Sequence, residues 1–127
     1  MSKEKLVCGI DIGGTNTTAR LVTPDGKIVL KKNIPTKTHQ TAIIFIEAIA
    51  ALVQDLVNET GCALTGIGIG APNGNFYNGT IEFAPNLPWE GIIPVAALMK
   101  KYFPEADVVL TNDANAAAWG ERIYGAA

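Results

Sequence analysis

The stretch GIDIGGTNTTARLV, residues 9–22, constrains the possible folds of this chain more than any other part of the sequence. An apolar, strand-like segment runs into an acid, two glycines and a threonine, and a second strand-like segment follows at once. Two glycines between strands predict either a tight hairpin turn or a turn that holds a ligand against bare backbone. A dinucleotide fingerprint would lead into a helix, and a P-loop would contain Gly-Lys-Ser or Gly-Lys-Thr, so neither motif fits.

Two features of this turn favour a ligand. Asp11 ends the first strand, where a carboxylate gains nothing from burial but can hold a Mg²⁺ ion through water. Thr15 follows Gly13 and Gly14, so the turn offers backbone N–H groups with no side chains in the way, together with a hydroxyl. A phosphate chain and its metal bind to groups of this kind. A plain hairpin turn remains the alternative interpretation of the two glycines.

The composition excludes several classes of function. The 127 residues are 48% hydrophobic and 17% charged, which is typical of one globular domain. The 10 basic and 12 acidic residues are scattered along the chain, so we expect no nucleic-acid partner. The most apolar segment, residues 42–53, contains Glu47 and is shorter than the roughly 20 residues that span a bilayer. We therefore expect no membrane partner and interpret this segment as a buried helix.

The two cysteines indicate a reducing compartment. Cys8 and Cys62 match neither a metal-binding spacing nor a disulfide framework. The charged N-terminus is followed by too short an apolar run for a signal peptide. We therefore expect a cytoplasmic protein.

The order of the predicted elements indicates an α/β fold. Three strands with short connections form an antiparallel meander, and strand–helix–strand crossovers follow it. The first helix is expected to have Thr38 as its N-cap and Gly61 as its C-terminal stop, and Asn78-Gly79 is a hairpin signal. The order βββαβ(hairpin)αβα predicts a five-stranded mixed sheet with helices on both faces. The predicted strands are residues 6–12, 17–22, 27–34, 63–72 and 106–113, and the predicted helices are residues 38–60, 92–103 and 114–125.

Two further stretches place polar side chains where open α/β folds bind ligands. In TNDANAAA, Asn112 and Asp113 lie at the carboxyl end of the last predicted strand, and an amide beside a carboxylate suits a ligand with many hydroxyls. In APNLPW, Asn86 lies in a loop punctuated by prolines. The structural alternatives are helix capping by Asn112 or Asp113 and a loop amide at Asn86 that bonds its own backbone.

Together these stretches resemble the N-terminal half of the ROK family (Repressor, Open reading frame, Kinase), most closely its bacterial glucokinase branch. DIGGTNTTARLV is similar to the first phosphate motif of the actin-like ATPase superfamily, whose fold is ribonuclease H-like. GIGIGAPNGNFYNGTIEFAPNLPW and TNDANAAAWGE narrow the resemblance to the ROK family. The resemblance covers nearly the whole chain and implies one actin-like ATPase domain over residues 1–127.

For the nucleotide, the resemblance implies an ATP-dependent, glucokinase-like hexose kinase that transfers the γ-phosphoryl group of MgATP to a sugar hydroxyl. It implies that Gly13, Gly14 and Thr15 line the ATP phosphates and that Asp11 helps to place Mg²⁺, through water. ROK kinases continue into a second domain with the adenosine pocket, further sugar ligands and a structural zinc site. This chain resembles the N-terminal domain only, so we expect it to be inactive alone, and we expect the full-length protein to be a homo-oligomer.

For the sugar, glucose or a related hexose, the resemblance implies that Asp113 accepts the proton of the attacking hydroxyl. Asn112 then binds neighbouring hydroxyls, and Asn86 is a further sugar ligand. Asn73 stands where family members usually carry a glycine close to the sugar, in Pro72-Asn73-Gly74, and it is the fourth candidate for sugar binding.

The alternative from another class is the sugar-sensing domain of a ROK transcriptional repressor. Those repressors resemble the kinases but carry a helix-turn-helix before the first strand. Only residues 1–5 precede the first predicted strand here, which argues against DNA binding. An actin-like or chaperone-like ATPase would not explain APNLPW and NDANAAA. These motifs are shared by enzymes for glucose, N-acetylmannosamine and related sugars, so they do not name the hexose.

Overall fold

A computed structural model describes residues 4–36, 41–71, 74–75, 78–82 and 91–111 of the chain. The strands in these residues are β1 Lys5–Ile12, β2 Asn16–Val22, β3 Ile28–Pro35, β4 Ala63–Gly70, β5 Gly74–Asn75, β6 Thr80–Glu82, β7 Ile92–Ile93 and β8 Asp107–Thr111. The helices are α1 Ala42–Thr60 and α2 Val95–Tyr102. A five-stranded sheet has the order β3-β2-β1-β4-β8, and a three-stranded sheet has the order β5-β6-β7. The predicted α/β class and the five-stranded mixed sheet are confirmed.

The five-stranded sheet is mixed because its connections differ in length. β1 and β2, and likewise β2 and β3, are antiparallel and joined by short turns, whereas β4 runs parallel to both β1 and β8. A short turn can join only antiparallel strands, and parallel neighbours need a crossover such as α1 or α2. Pro35 is the last residue of β3, which is an edge strand, where a sheet tolerates proline.

The core lies on the face of the main sheet that α1 and α2 cover. Successive strand residues point to opposite faces, so alternate residues of β1 face these helices. Leu6, Cys8 and Ile10 are fully buried there with Phe45 of α1 and Met99 of α2. The helix predicted at residues 114–125 lies outside the described residues. No helix in the part of the chain that the structure describes is long and apolar enough to cross a membrane.

The first helix begins later than predicted. Its N-cap is Thr41, whose Oγ1 accepts a hydrogen bond from the Ile44 N–H at 3.1 Å, so the prediction of Thr38 as the N-cap is wrong. The physical reason is that Ala42 is the first apolar residue of the segment, and an extra turn before it would bury nothing. The predicted stop is confirmed, because Gly61 adopts the left-handed conformation and donates its N–H to the Val57 carbonyl at 2.8 Å.

The hairpin predicted at Asn78-Gly79 is present, and it forms part of the smaller sheet. β5 and β6 pair antiparallel across it, with Gly79 at a φ of 67°. The helix predicted from residue 92 begins at Val95 instead, because β7 pairs with β6 and places Ile93 opposite Ile81. Both isoleucines are buried, so tertiary pairing determines the conformation of this short segment.

Gly79 and Gly61 provide a matched test of packing, because both have a φ of 67°. A Cβ at residue 79 would lie 2.6 Å from the Ala96 Cβ, whereas a Cβ at residue 61 would meet nothing within 4 Å. We expect Gly61→Ala to lower the free energy of unfolding by about 1–2 kcal/mol through left-handed strain alone. Gly79→Ala should cost roughly 1–3 kcal/mol more, because it also overpacks α2. Equal losses in urea titrations of the two variants would contradict this account of Gly79.

Candidate active site

Three strands of the main sheet end side by side at one edge. Asp11 of β1 is in register with Gly70 of β4, and Gly70 is in register with Thr111 of β8. These strands are parallel, so their carboxyl ends meet at this edge, where open α/β sheets bind ligands. Asn112 and Asp113 directly follow Thr111 in the sequence. The four predicted sugar-binding residues lie outside the described residues: Asn73, Asn86, Asn112 and Asp113.

The glycine turn lies at the same edge, next to Asp11. The Gly13 N–H donates to the Asn16 carbonyl at 2.9 Å, and Ile12 pairs with Thr17, so Gly14 and Thr15 form the tip of a two-residue hairpin. Gly14 is half-buried and Thr15 is exposed. The turn is therefore a tight hairpin in its local geometry, and it also presents backbone at the edge where open α/β sheets bind ligands. The two interpretations of these glycines are compatible.

The structure distinguishes the two glycines of the turn. Positive φ values among the described glycines occur at Gly26, Gly61, Gly79 and Gly91, so backbone handedness does not require glycine in the β1–β2 turn. A Cβ at residue 13 would lie 2.8 Å from the Asn16 carbonyl oxygen, too close for a real contact. Hairpin closure thus accounts for Gly13 without any ligand. Gly14, at the tip of the turn, has a φ that is not positive, so handedness does not require glycine there either.

Arg20 is a charged neighbour of Asp11 that the sequence analysis missed. Its Nη1 lies 3.2 Å from an Asp11 carboxylate oxygen, and the two side chains are 26% and 30% exposed. Arg20 pairs with Gly9, while Asp11 pairs with Thr18, so the two charges are diagonal neighbours on one face of the antiparallel ladder. A two-residue turn fixes this register, so strand alternation could have revealed the pair from the sequence.

With this geometry established, the comparisons with known proteins decide the family. The family model described as ROK family matches residues 7–127. The chain belongs to the ROK family. The glucokinase of Streptomyces coelicolor is 38% identical over 123 residues, which are 94% of this chain and 36% of that protein. A ROK family glucokinase from Streptomyces griseus, solved in complex with glucose and AMPPNP, has a TM-score of 0.76 at 36% identity, over 95% of this chain and 37% of that one.

ROK relatives of a second kind also match. The xylose repressor of Bacillus subtilis is 31% identical over 122 residues, which are 94% of this chain and 31% of the repressor. The chain therefore spans 36% of the length of the Streptomyces coelicolor glucokinase and 31% of that repressor. Glucokinases and a xylose repressor are thus both similar to the portion of the ROK family seen here. The ROK membership and the actin-like fold predicted from the motifs are confirmed.

The residues of this ROK chain fit a Mg²⁺ ion that arrives with a phosphate ligand. Magnesium is commonly held by one or two carboxylates, several waters and substrate phosphates. Asp11 supplies one partly exposed carboxylate beside the turn. Within the described residues no group of three or more His, Cys, Asp or Glu side chains could hold a metal. One carboxylate beside the turn fits the outer, water-coordinated shell of such an ion.

The cysteines of the ROK chain are packing residues. Cys8 and Cys62 are free and buried. Burial raises the pKa of the Cys8 thiol to about 12, because the thiolate would lose its solvation inside the core. Almost no thiolate exists at neutral pH, so Cys8 is not a candidate nucleophile.

Proposed function

We propose that residues 1–127 form the N-terminal domain of an ATP-dependent hexose kinase of the glucokinase type. The observation that supports this most strongly is the position of the Gly13–Gly14–Thr15 turn beside Asp11 at the carboxyl edge of the main sheet. The similarity to a glucokinase solved with glucose and AMPPNP, an analogue of ATP, agrees with it. The proposed reaction is transfer of the γ-phosphoryl group of ATP to a sugar hydroxyl.

On the nucleotide side, we assign the phosphates to the turn. The backbone N–H groups of Gly14 and Thr15 would face the phosphate oxygens, and the exposed Thr15 hydroxyl adds a further donor. Asp11 would hold the water shell of Mg²⁺, and this ion neutralises charge on the phosphates when it is bound. Arg20 fixes the Asp11 carboxylate by their ion pair, so the acid is oriented before any ligand arrives.

On the sugar side, we assign Asp113 as the group that accepts the proton of the attacking hydroxyl. Asn112, Asn86 and Asn73 are the proposed ligands of the other sugar hydroxyls. Asp113 comes two residues after Thr111 in the sequence. Thr111 is in register with Gly70 of β4, and Gly70 is in register with Asp11. This chain continuity supports a sugar site beside the phosphate site. In phosphoryl transfer, catalysis depends mainly on such positioning.

A second domain of the full-length protein completes both ligand sites in this proposal. It would supply the adenosine pocket, further sugar ligands and the structural zinc site of ROK kinases. We also propose a cytoplasmic homo-oligomer without a nucleic-acid partner. Two free, buried cysteines and the use of ATP support the reducing cytoplasm.

The decisive experiment is a coupled ADP-release assay with the purified full-length protein over a panel of hexoses, including glucose and N-acetylmannosamine. We expect turnover within the range of about 1–100 s⁻¹ that is typical of kinases, on at least one sugar. The isolated 127-residue chain should fold but show no sugar-dependent ADP release, because the proposed second domain contributes to each site. Turnover by the isolated chain would contradict the two-domain proposal.

The second candidate is the sugar-sensing domain of a transcriptional repressor, which the similarity to the xylose repressor favours. The same assay separates the two functions. A repressor would bind a sugar, detected by calorimetry, without releasing ADP, and the full-length protein would retard its promoter DNA in a gel. A kinase would also bind its sugar, but it would release ADP in the presence of that sugar and would not retard the DNA.

A further inference from the structure

Thr36, which directly follows β3, makes one hydrogen bond to the β1–β2 turn and one to β2. The Thr36 N–H donates to the Thr15 carbonyl at 2.9 Å. The hydroxyl oxygens of Thr17 and Thr36 lie 2.8 Å apart, and both side chains are fully buried. Thr17 sits opposite Ile12 on the face that α1 and α2 cover. A buried polar pair therefore lies directly under the tip of the turn.

Stability alone does not explain this pair. Val has nearly the same shape as Thr, and replacing both partners of a buried hydrogen bond by apolar groups of equal shape is often close to neutral. Unlike an apolar contact, a hydrogen bond between two hydroxyls restricts both the distance and the angle between the two side chains. Pro35, which has no N–H, pairs with Asn16, so Thr36 is the next residue that can donate to the turn.

The bond to Thr15 fixes the orientation of a peptide unit in the turn. Because the peptide group is planar, holding the Thr15 carbonyl also holds the Thr15 Cα in the same plane, and the Thr15 N–H and hydroxyl that are proposed to face the phosphates extend from this Cα. A free carbonyl at the tip could rotate toward a bound anion and repel it. Donors that are oriented before binding cost no reorganisation when the anion arrives.

We propose that Thr17 and Thr36 are positioning residues for the phosphate site, because their hydroxyl pair holds Thr36 in place to bind the Thr15 carbonyl. This inference rests on the proposed function, in which the turn binds ATP phosphates. The two residues act through the turn and touch no substrate. Thr17 and Thr36 are 19 positions apart in the sequence, and they come into contact only when β2 and β3 pair.

The test compares Thr17→Val and Thr36→Val with the hydroxyl-retaining Thr17→Ser and Thr36→Ser in the full-length protein. Each Val variant should raise the KM for ATP by about 10-fold, since a misplacement of about 1 Å can cost up to ~10²-fold. The KM for the sugar should stay within about twofold of the wild-type value. The Ser variants should retain the wild-type KM for ATP. Calorimetric binding of MgADP should weaken in parallel with the rise in KM.

Thr80→Val is the matched control, because Thr80 is also buried and donates from Oγ1 to Glu82 at 2.7 Å, but it lies in the smaller sheet. It should lower the melting temperature without changing the KM for ATP. The double variant Thr17→Val/Thr36→Val separates folding from positioning. Its melting temperature should recover relative to the single Val variants, since no buried hydroxyl is left unpaired, while its KM for ATP stays raised.

Several results would overturn the inference. Val variants that melt earlier but keep the wild-type KM for ATP would show that the pair serves stability only. A double variant that regains both stability and ATP affinity would show the same. If the wild-type protein fails to bind MgADP at all, the proposed function itself is wrong, and the two failures are therefore distinguishable.

Discussion

Replacement of Asp113 by Asn in the full-length protein is expected to lower hexose turnover by roughly 10²–10⁴-fold, the usual contribution of a positioned acid or base. Asn keeps the size of the side chain and can still hydrogen-bond a sugar hydroxyl, but it cannot accept the proton. The KM for the sugar should therefore change much less than kcat. A coupled ADP-release assay on the best hexose measures both quantities.

The competing explanation of Asp113 is that it only caps a helix. Asn caps a helix about as well as Asp, so in that case Asp113→Asn would melt and turn over as the wild type does. Asp107→Asn is the matched control, because Asp107 is exposed at the opposite end of β8. It should leave both kcat and the melting temperature unchanged. Unchanged turnover in Asp113→Asn would remove this residue from the proposed mechanism.

Local signals predicted much of the fold. The glycine turn between two strand-like segments predicted the β1–β2 hairpin, and Gly61 predicted the end of α1 through its left-handed conformation. Asn78-Gly79 predicted the hairpin of the smaller sheet. Each of these features is encoded within a few residues, since Gly61 and Gly79 adopt left-handed conformations and Gly13 leaves room for the Asn16 carbonyl oxygen that closes the β1–β2 hairpin.

The errors arose where distant residues decide the structure. Thr38 and Thr41 are both acceptable caps by residue type, and the choice depends on where burial against the sheet begins. The short strand at Ile92–Ile93 follows a helical pattern in the sequence, and only its pairing with β6 makes it extended. Tertiary context overrides local propensity in both places.

The candidate site likewise contains residues that local sequence indicates and residues that only the strand pairing brings together. The sequence identified Asp11 and the glycine turn, because an acid and bare backbone after a strand are local features. It did not identify Arg20, although the hairpin register places this residue beside Asp11. It also missed the pair of buried hydroxyls at Thr17 and Thr36, because nothing in either neighbourhood indicates a partner 19 residues away.

Gly14→Val is expected to abolish ATP use by the full-length protein while sugar binding remains largely intact. The two methyl groups would occupy the space over the turn where the phosphates are proposed to lie. Gly14 is the informative glycine because its φ is not positive, so valine adds no left-handed strain. Gly13→Ala is less informative, since its Cβ would lie 2.8 Å from the Asn16 carbonyl oxygen and would open the hairpin itself.

The measurement pairs ATP kinetics with calorimetric sugar binding and a thermal melt. We expect kcat/KM for ATP to fall by at least about 10²-fold in Gly14→Val, with Gly14→Ala intermediate, because the loss should increase with side-chain volume. Gly13→Ala should instead lower the melting temperature and ATP use together, since it strains the hairpin before any ligand binds. If Gly14→Val folds normally and uses ATP with wild-type kinetics, no phosphate lies against this turn. The glycines would then serve the hairpin alone, and the assignment of the phosphate site to this turn would be wrong.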